Sequence, residues 1–168
     1  IGWNYRMPEI IAAVGMAQLE KIDEAINLRK ESAKIFLNVI NETDFLIPQK
    51  LPDQYTNSYY TLGVLYEGEK KYGVKWNEFR KMYIEEGGDG FYGAWSVPYL
   101  EPAIKGRNFV RRYPEIYKNI NYENNRCPIA EDIQKRLMQF KTNYRDHRIA
   151  KRKAASLKRT IQKLDKSF

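Results

Sequence analysis

Residues 1–20 read Ile1-Gly2-Trp3-Asn4-Tyr5-Arg6-Met7-Pro8-Glu9-Ile10-Ile11-Ala12-Ala13-Val14-Gly15-Met16-Ala17-Gln18-Leu19-Glu20. A polar turn built on Gly2, Asn4 and Arg6 runs directly into a helix entered through Pro8. Proline suits a first helical turn, because that N–H has no partner inside the helix anyway. Asn4 and Arg6 therefore stand just before a helix N-terminus, where backbone donors gather and anions bind. Chemistry alone leaves two readings. The turn is a plain cap in which Asn4 and Arg6 satisfy backbone groups, or it is an anion site with a neutral donor and a charged fork.

Outward from this stretch, residues 8–19 read as a helix carrying Ile10, Ile11, Val14 and Ala17. Residues 20–41 continue helically, with Ile22, Ile26, Ala33, Phe36 and Ile40 at three-to-four-residue spacing. Asp23, Glu24, Arg29, Lys30, Glu31 and Lys34 supply its wet side. Two stripes on one straight helix would drift apart, so a bend near Leu19–Lys21 is expected. Ser58–Glu67 reads as a strand central to a small sheet, and Gly68–Gly73 as a turn. Lys75–Glu86 reads as an amphipathic helix with Trp76, Phe79, Met82 and Tyr83 inward, stopped by Gly87-Gly88-Asp89-Gly90. Phe91–Tyr99 is aromatic and extended. Residues 105–126 look like loop and short helix. A helix of about 129–139 (Ile129, Ile133, Leu137, Phe140) follows, and a last one spans 147–166, striped by Ala150, Ala154, Leu157, Ile161 and Leu164. This order fits an α+β domain whose small sheet is covered by helices on one side.

Length and charge narrow the function classes. The chain has 168 residues, enough for one domain with a real core. Its net charge of +8 is concentrated at the end. Residues 145–168 hold nine Lys and Arg against Asp146 and Asp165. The high pI is a property of that tail, which reads as a docked terminal helix with a solvated basic side. Binding to nucleic acid or another anionic surface is its alternative. No apolar run reaches the roughly 18 residues of a membrane span. One cysteine, Cys127, excludes an intrachain disulfide and fits a reducing cytoplasm; it reads as a small buried hydrophobe. One histidine, His147, lies in a polar run, and no converging ligand set for a metal or Cys-His pair is visible. Aromatics reach 14%, with 13 tyrosines, which fits semi-polar interfaces or sugar-facing surfaces.

Three segments together carry a resemblance. They are Gly2-Trp3-Asn4-Tyr5-Arg6-Met7 with Ala12-Ala13-Val14-Gly15 and Gln18-Leu19, then Pro98-Tyr99-Leu100-Glu101-Pro102-Ala103, then Cys127-Pro128-Ile129-Ala130-Glu131. The chain resembles the DegT/DnrJ/EryC1/StrS family of PLP-dependent aminotransferases, which act on nucleotide-linked keto-sugars. The likeness spans about residues 1–144. Where that family usually has histidine and glutamine, this chain has Tyr99 and Glu101, which suggests a subgroup near the perosamine-synthase-like members.

The resemblance implies the C-terminal part of such an enzyme, with the first segment lying downstream of the PLP lysine. No lysine here sits in the family's Ser-rich setting, so the catalytic lysine is expected before Ile1. Pyridoxal 5'-phosphate would then be bound mainly by residues outside this chain, and no catalytic residue is assigned within it. The implied fold is the small C-terminal domain of a fold-type-I PLP enzyme, a small antiparallel sheet covered by helices, plus a helical segment of the large domain. The expected division is 1–42 for the end of the large domain and connecting helix, 43–146 for the small domain and 147–168 for the basic helix. Asn4 is the implied contact to the PLP phosphate of a partner subunit. Tyr5 and Arg6 would shape the shared site, and Tyr92, Trp95 and Tyr99 would form a substrate-side wall.

The implied partners are a nucleotide-sugar, an amino donor such as glutamate, and a second copy in a homodimer sharing active sites, with no membrane and no nucleic acid. Glu131 falls in a first helical turn, where a carboxylate favours the helix dipole. A non-catalytic binding module built on the same fold stays open beside the enzyme reading.

Overall fold

The computed structural model describes residues 5–106, 114–115, 118–119 and 126–167. Helix α1 (Glu9–Leu19) and helix α2 (Ile22–Ile40) meet at a bend at Glu20 and Lys21, as the drifting stripes require. Strand β1 (Leu46–Pro48) and strand β2 (Leu62–Tyr66) follow. Helix α3 (Gly68–Tyr72) and helix α4 (Trp76–Glu85) precede strand β3 (Tyr92–Gly93). A 3-10 turn (Pro98–Leu100) and helix α5 (Pro102–Lys105) lead away from the sheet. Helix α6 (Pro128–Gln134), strand β4 (Leu137–Phe140) and helix α7 (His147–Ser167) complete the chain.

The sheet is four-stranded and antiparallel in the order β1-β2-β4-β3, so β2 and β4 are its centre. Alternation sets its two faces. Leu62, Val64 and Tyr66 of β2 and Met138 and Phe140 of β4 are buried beneath the helices, while Gly63, Leu65, Leu137 and Gln139 lie on the other side. Four helices supply the covering layer: α2 through Phe36 and Ile40, α3 through Tyr72, α4 through Phe79 and Tyr83, and α7 through Ala150, Ala154, Leu157, Ile161 and Leu164. Every apolar position read from the α7 stripe is buried. Helices α2 and α7 pack on each other, and Ser32, Ala33, Ala150 and Ala154 are small residues buried on them.

Aromatic rings fill the space between. The Phe91 and Phe140 centroids are 5.0 Å apart, and Phe45 meets Tyr72 edge-on at 5.2 Å. A buried phenol needs a partner for its O–H. Tyr66 donates to the Val74 carbonyl at 2.9 Å, Tyr83 to the Lys153 carbonyl at 3.2 Å and Tyr72 to Asp165 at 2.5 Å. These three tyrosines thus fill the core while their hydroxyls are tied to its rim.

The structure corrects several sequence expectations. The helix expected over about 129–139 ends at Gln134, and Leu137–Phe140 is a central strand. Gly68–Gly73 is a short helix closed by Gly73 in the left-handed region (φ 68°), not a simple turn. The extended segment Phe91–Tyr99 pairs with the sheet only at Tyr92 and Gly93. Cys127 is exposed rather than buried, because it precedes α6 at the surface. The stretch 105–126 is only partly within the described residues.

Helix α1 differs from the others. None of its residues is buried, and Ile10, Ile11, Val14, Met16 and Leu19 are all exposed.

Candidate functional site

Helices α2, α3, α4 and α7 cover one face of the sheet, and the end of the sheet where β3 joins β4 is left open to form a site. Its strand end carries an open cleft of about 830 Å³ lined by residues from several elements. Arg29 comes from α2, Tyr60 and Thr61 from the approach to β2, and Trp76 from the start of α4. Tyr92, Trp95 and Gln139 come from β3, its continuation and β4, and Lys141 and Thr142 follow β4. The volume is that of a small-molecule site.

Local chemistry fixes the cleft's walls. Gln139 donates from Nε2 to the Gly93 carbonyl at 3.0 Å and locks β3 to β4. A Cβ on Gly93 would meet the Trp76 ring at 3.1 Å, so glycine lets the indole close in on the strand. Thr142 is buried and donates to the Tyr59 carbonyl at 2.6 Å. Thr61 donates to the Phe140 carbonyl at 3.1 Å. Tyr92 and Trp95 reach into solvent, at 71% and 88% exposure.

The sequence-expected residues are not gathered at one place. Tyr92 and Trp95 share the cleft. Tyr5 and Arg6 lie in the exposed extended chain before α1 and do not line it. Asn4 lies outside the described residues. Tyr99 points elsewhere: it donates to Glu131 Oε1 at 2.7 Å and accepts the Cys127 amide at 2.7 Å. Glu131 also takes a two-pronged contact from Arg126, one prong at 2.9 Å. The Arg126 guanidinium, seconded by the Tyr99 hydroxyl, lowers the Glu131 carboxyl to about 2. Trp95 stands between this cluster and the first cleft, for it also lines an apolar groove with Val97, Cys127, Ile129 and Ile133.

Beyond the cleft, Asp89 joins three elements. It accepts the Tyr144 hydroxyl at 2.9 Å and pairs with Lys153 at 2.7 Å, with Lys141 at 3.9 Å. Burial opposes its ionisation, but Lys153 and Tyr144 outweigh burial and hold its pKa below the ordinary value. Burial pushes the Tyr144 phenol up.

Arg29, Lys141 and Thr142 were invisible as site residues in the sequence. Arg29 reads there as one charge on a wet helix face, and the other two as polar residues in a stretch taken for the end of a helix and its exit. No spacing signal links position 29 to position 142.

The described residues do not form a seat for PLP. That cofactor needs a desolvated lysine, and no described lysine is buried. Lys153, among the less exposed, is neutralised by Asp89 and donates to the Gly87 carbonyl at 3.0 Å. Among the described residues no group of His, Cys, Asp and Glu could hold a metal ion, and no helix is long and apolar enough to cross a membrane.

Comparison with solved structures finds the same architecture. Helicobacter pylori PseC, an aminotransferase involved in the biosynthesis of pseudoaminic acid, superposes with a TM-score of 0.66 at 16% identity, over 97% of this chain and 40% of that one. Spr1654 of Streptococcus pneumoniae, described as a sugar aminotransferase and solved in its PMP form, gives 0.65 at 16% identity, over 95% and 36%. In sequence, GDP-perosamine synthase of Escherichia coli O157:H7 is 51% identical over 41 residues, which are 24% of this chain and 11% of that protein. The chain therefore spans well under half the length of the proteins it matches. At these identities the structural likeness establishes the fold alone. The sequence pattern of the DegT/DnrJ/EryC1/StrS aminotransferase family, by contrast, matches residues 1–145, which include both central strands and the cleft residues, and the chain belongs to that family.

Proposed function

We propose that this chain forms the C-terminal portion of a PLP-dependent aminotransferase. The enzyme would move an amino group from glutamate to a nucleotide-linked keto-sugar, in the making of amino-sugars for surface polysaccharide. Donor and acceptor exchange amine for carbonyl oxygen, so glutamate leaves as 2-oxoglutarate. The observation that carries the reading is the family match over residues 1–145. The 41-residue likeness to GDP-perosamine synthase favours a GDP-linked sugar.

In this reading the residues 1–42 close the large domain, 43–146 make the small domain and 147–168 the basic terminal helix. The whole works as a cytoplasmic homodimer. Asn4 reaches the PLP phosphate of the partner subunit, with Tyr5 and Arg6 beside it. Tyr92 and Trp95 present ring faces to the substrate. Tyr99 acts on that wall from behind, by holding the Cys127–Glu131 segment next to Trp95. The exposed apolar surface of α1 supports a covering by further protein, since a helix apolar all round is normally a buried one.

The test is turnover. The reading frame is extended upstream of Ile1, and the purified longer protein is given PLP, glutamate and a nucleotide-linked keto-sugar. Sugar-dependent 2-oxoglutarate is the expected product. A folded longer protein that binds no PLP and makes no 2-oxoglutarate sinks the reading.

A further inference from the structure

Helix α7 faces the core on one side and carries charge on the other. Its apolar stripe, Ala150 to Leu164, is spent on the core. The exposed side carries Arg148, Lys151 and Arg152 in its first half and Lys158, Arg159, Lys163 and Lys166 in its second. Steps of three and four residues stack these cations on one face, over about 27 Å of helix. The other exposed residues of α7 are Ala155, Gln162, Asp165 and Ser167.

Four carboxylates answer this row and leave it positive. Asp146 pairs with Arg148 at 2.7 Å and Glu42 with Lys158 at 2.8 Å. Glu86 is shared by Arg159, at 3.0 Å, and Lys163. Asp165 accepts the Tyr72 hydroxyl. Lys151, Arg152 and Lys166 have no carboxylate partner among the described residues. The rest of the surface is nearly balanced, since residues 1–144 hold 20 basic and 19 acidic groups. The molecule is therefore electrically one-sided, with α7 at its positive side.

Geometry narrows what this side can meet. Lys151 and Lys166 stand about 22 Å apart along the helix, so one small anion cannot reach both. A duplex groove of about 12 Å takes in a helix that stands clear of its own protein, whereas α7 is packed against the core and against α2 and α4. Single strands are held by stacked aromatic rings, and no ring lies on the exposed side of α7 among the described residues. Protein interfaces close around apolar and aromatic centres depleted of charge, and this side offers only Ala155 and Gln162 between its cations. A flat anionic surface needs no more than one open, charged face.

We propose that the outward side of α7 docks the protein on an anionic lipid leaflet by charge alone. Nothing apolar and larger than Ala155 is exposed on this side among the described residues, so the contact stays at the headgroups and salt releases it. The expectation of no membrane contact comes from the family likeness, and the family pattern stops at residue 145, before α7 begins.

The 168-residue chain is sedimented with vesicles of phosphatidylcholine alone and of phosphatidylcholine mixed equally with phosphatidylglycerol, at low and at raised salt. Binding to the mixed vesicles at low salt, release by raised salt and no binding to phosphatidylcholine are expected. Each cation near such a leaflet contributes about fivefold in partition, so Lys151→Gln, Arg152→Gln and Lys166→Gln together should lower it about a hundredfold. None of the three has an ionic partner to lose, so thermal unfolding of this triple variant should match wild type. Lys21→Gln, Lys50→Gln and Lys105→Gln together make the same charge change at exposed positions elsewhere and should partition close to wild type.

Absence of binding to the mixed vesicles overturns the proposal. So does equal binding to phosphatidylcholine, which would belong to the exposed apolar surface of α1. A triple variant that partitions like wild type, or a control that falls as far, removes α7 from the contact. Tighter binding to a DNA duplex than to the mixed vesicles at equal phosphate, lost in the triple variant, assigns the surface to nucleic acid and overturns the lipid reading.

Discussion

The Tyr144 hydroxyl donates to Asp89 at 2.9 Å, across a sequence separation of 55 residues. One group lies just past β4 and the other in the glycine turn that ends α4, so the bond ties the sheet's exit to the helical layer. Removing the hydroxyl in Tyr144→Phe leaves the ring stacked on Phe36 at 6.2 Å but takes a donor from a charged acceptor. Hydrogen bonds to charged groups contribute about 1.5–3 kcal/mol, and Asp89 is partly hydrated, so a loss near the lower end is expected. Urea unfolding of both proteins measures it.

Strong acid should loosen the Tyr99–Glu131–Arg126 cluster. The Glu131 carboxyl is held at about 2 in the folded chain against an ordinary 4.5. A lowered folded pKa means a contribution fully present above the ordinary value and lost as pH falls towards the folded one. The Cys127 amide, which leans on the same Tyr99 oxygen, should therefore lose protection as pH falls from about 4.5 to about 2. Amide exchange across that range, corrected for the intrinsic pH dependence, gives the answer. Tyr99→Phe should show the same loss at neutral pH.

Gly88→Ala should destabilise the fold. A Cβ there would stand 2.2 Å from Tyr83 Cε2, and Tyr83 is a buried ring with its hydroxyl already placed. Overpacking of this kind costs about 1–3 kcal/mol. Gly63→Ala is the control, since its Cβ meets only Leu137 Cδ1 at 3.9 Å. Thermal unfolding should separate the two, with Gly88→Ala melting well below wild type and Gly63→Ala close to it.

Thr142→Val keeps the shape and removes the hydroxyl that serves Tyr59 and Arg29. The part-buried Tyr59–Thr142 hydrogen bond is lost, at a cost of about 0.5–1.5 kcal/mol. The φ of 50° at Tyr59 should then relax. Chemical denaturation reads the first effect, and the Tyr59 and Tyr60 amide shifts read the second.

Legibility in the sequence followed the range of the forces involved. Helix α7 was fully readable, because Ala150, Ala154, Leu157, Ile161 and Leu164 repeat at the helical period and all are buried. The same reasoning misled at Leu137 and Phe140. They extend the Ile129–Ile133 spacing, yet Leu137–Phe140 pairs with Leu62–Leu65, and that distant partner decides between helix and strand. The bend after Leu19 and the stop at Gly87 were legible because they are local. The site divided in the same way. Tyr92 and Trp95 stood out because they fall in one short aromatic run, Phe91–Tyr99. Arg29 did not, since its meaning comes from Thr142, a partner 113 positions away. Cys127 misled because composition favours burial, whereas its place before α6 puts it in solvent.

The strand order has a further consequence for how the protein comes into being. The two middle strands join residues near 62 to residues near 140, and the helix that seals their covered face comes last of all. Such distant closure is slow. During synthesis β2 would pair with β1 well before β4 emerged, and its other edge would wait unpaired until residues near 140 had been made. Completion of this sheet is thus a late event. Chaperone demand, and the yield at raised temperature, should depend strongly on the segment from β4 through α7 that closes the sheet and seals its covered face.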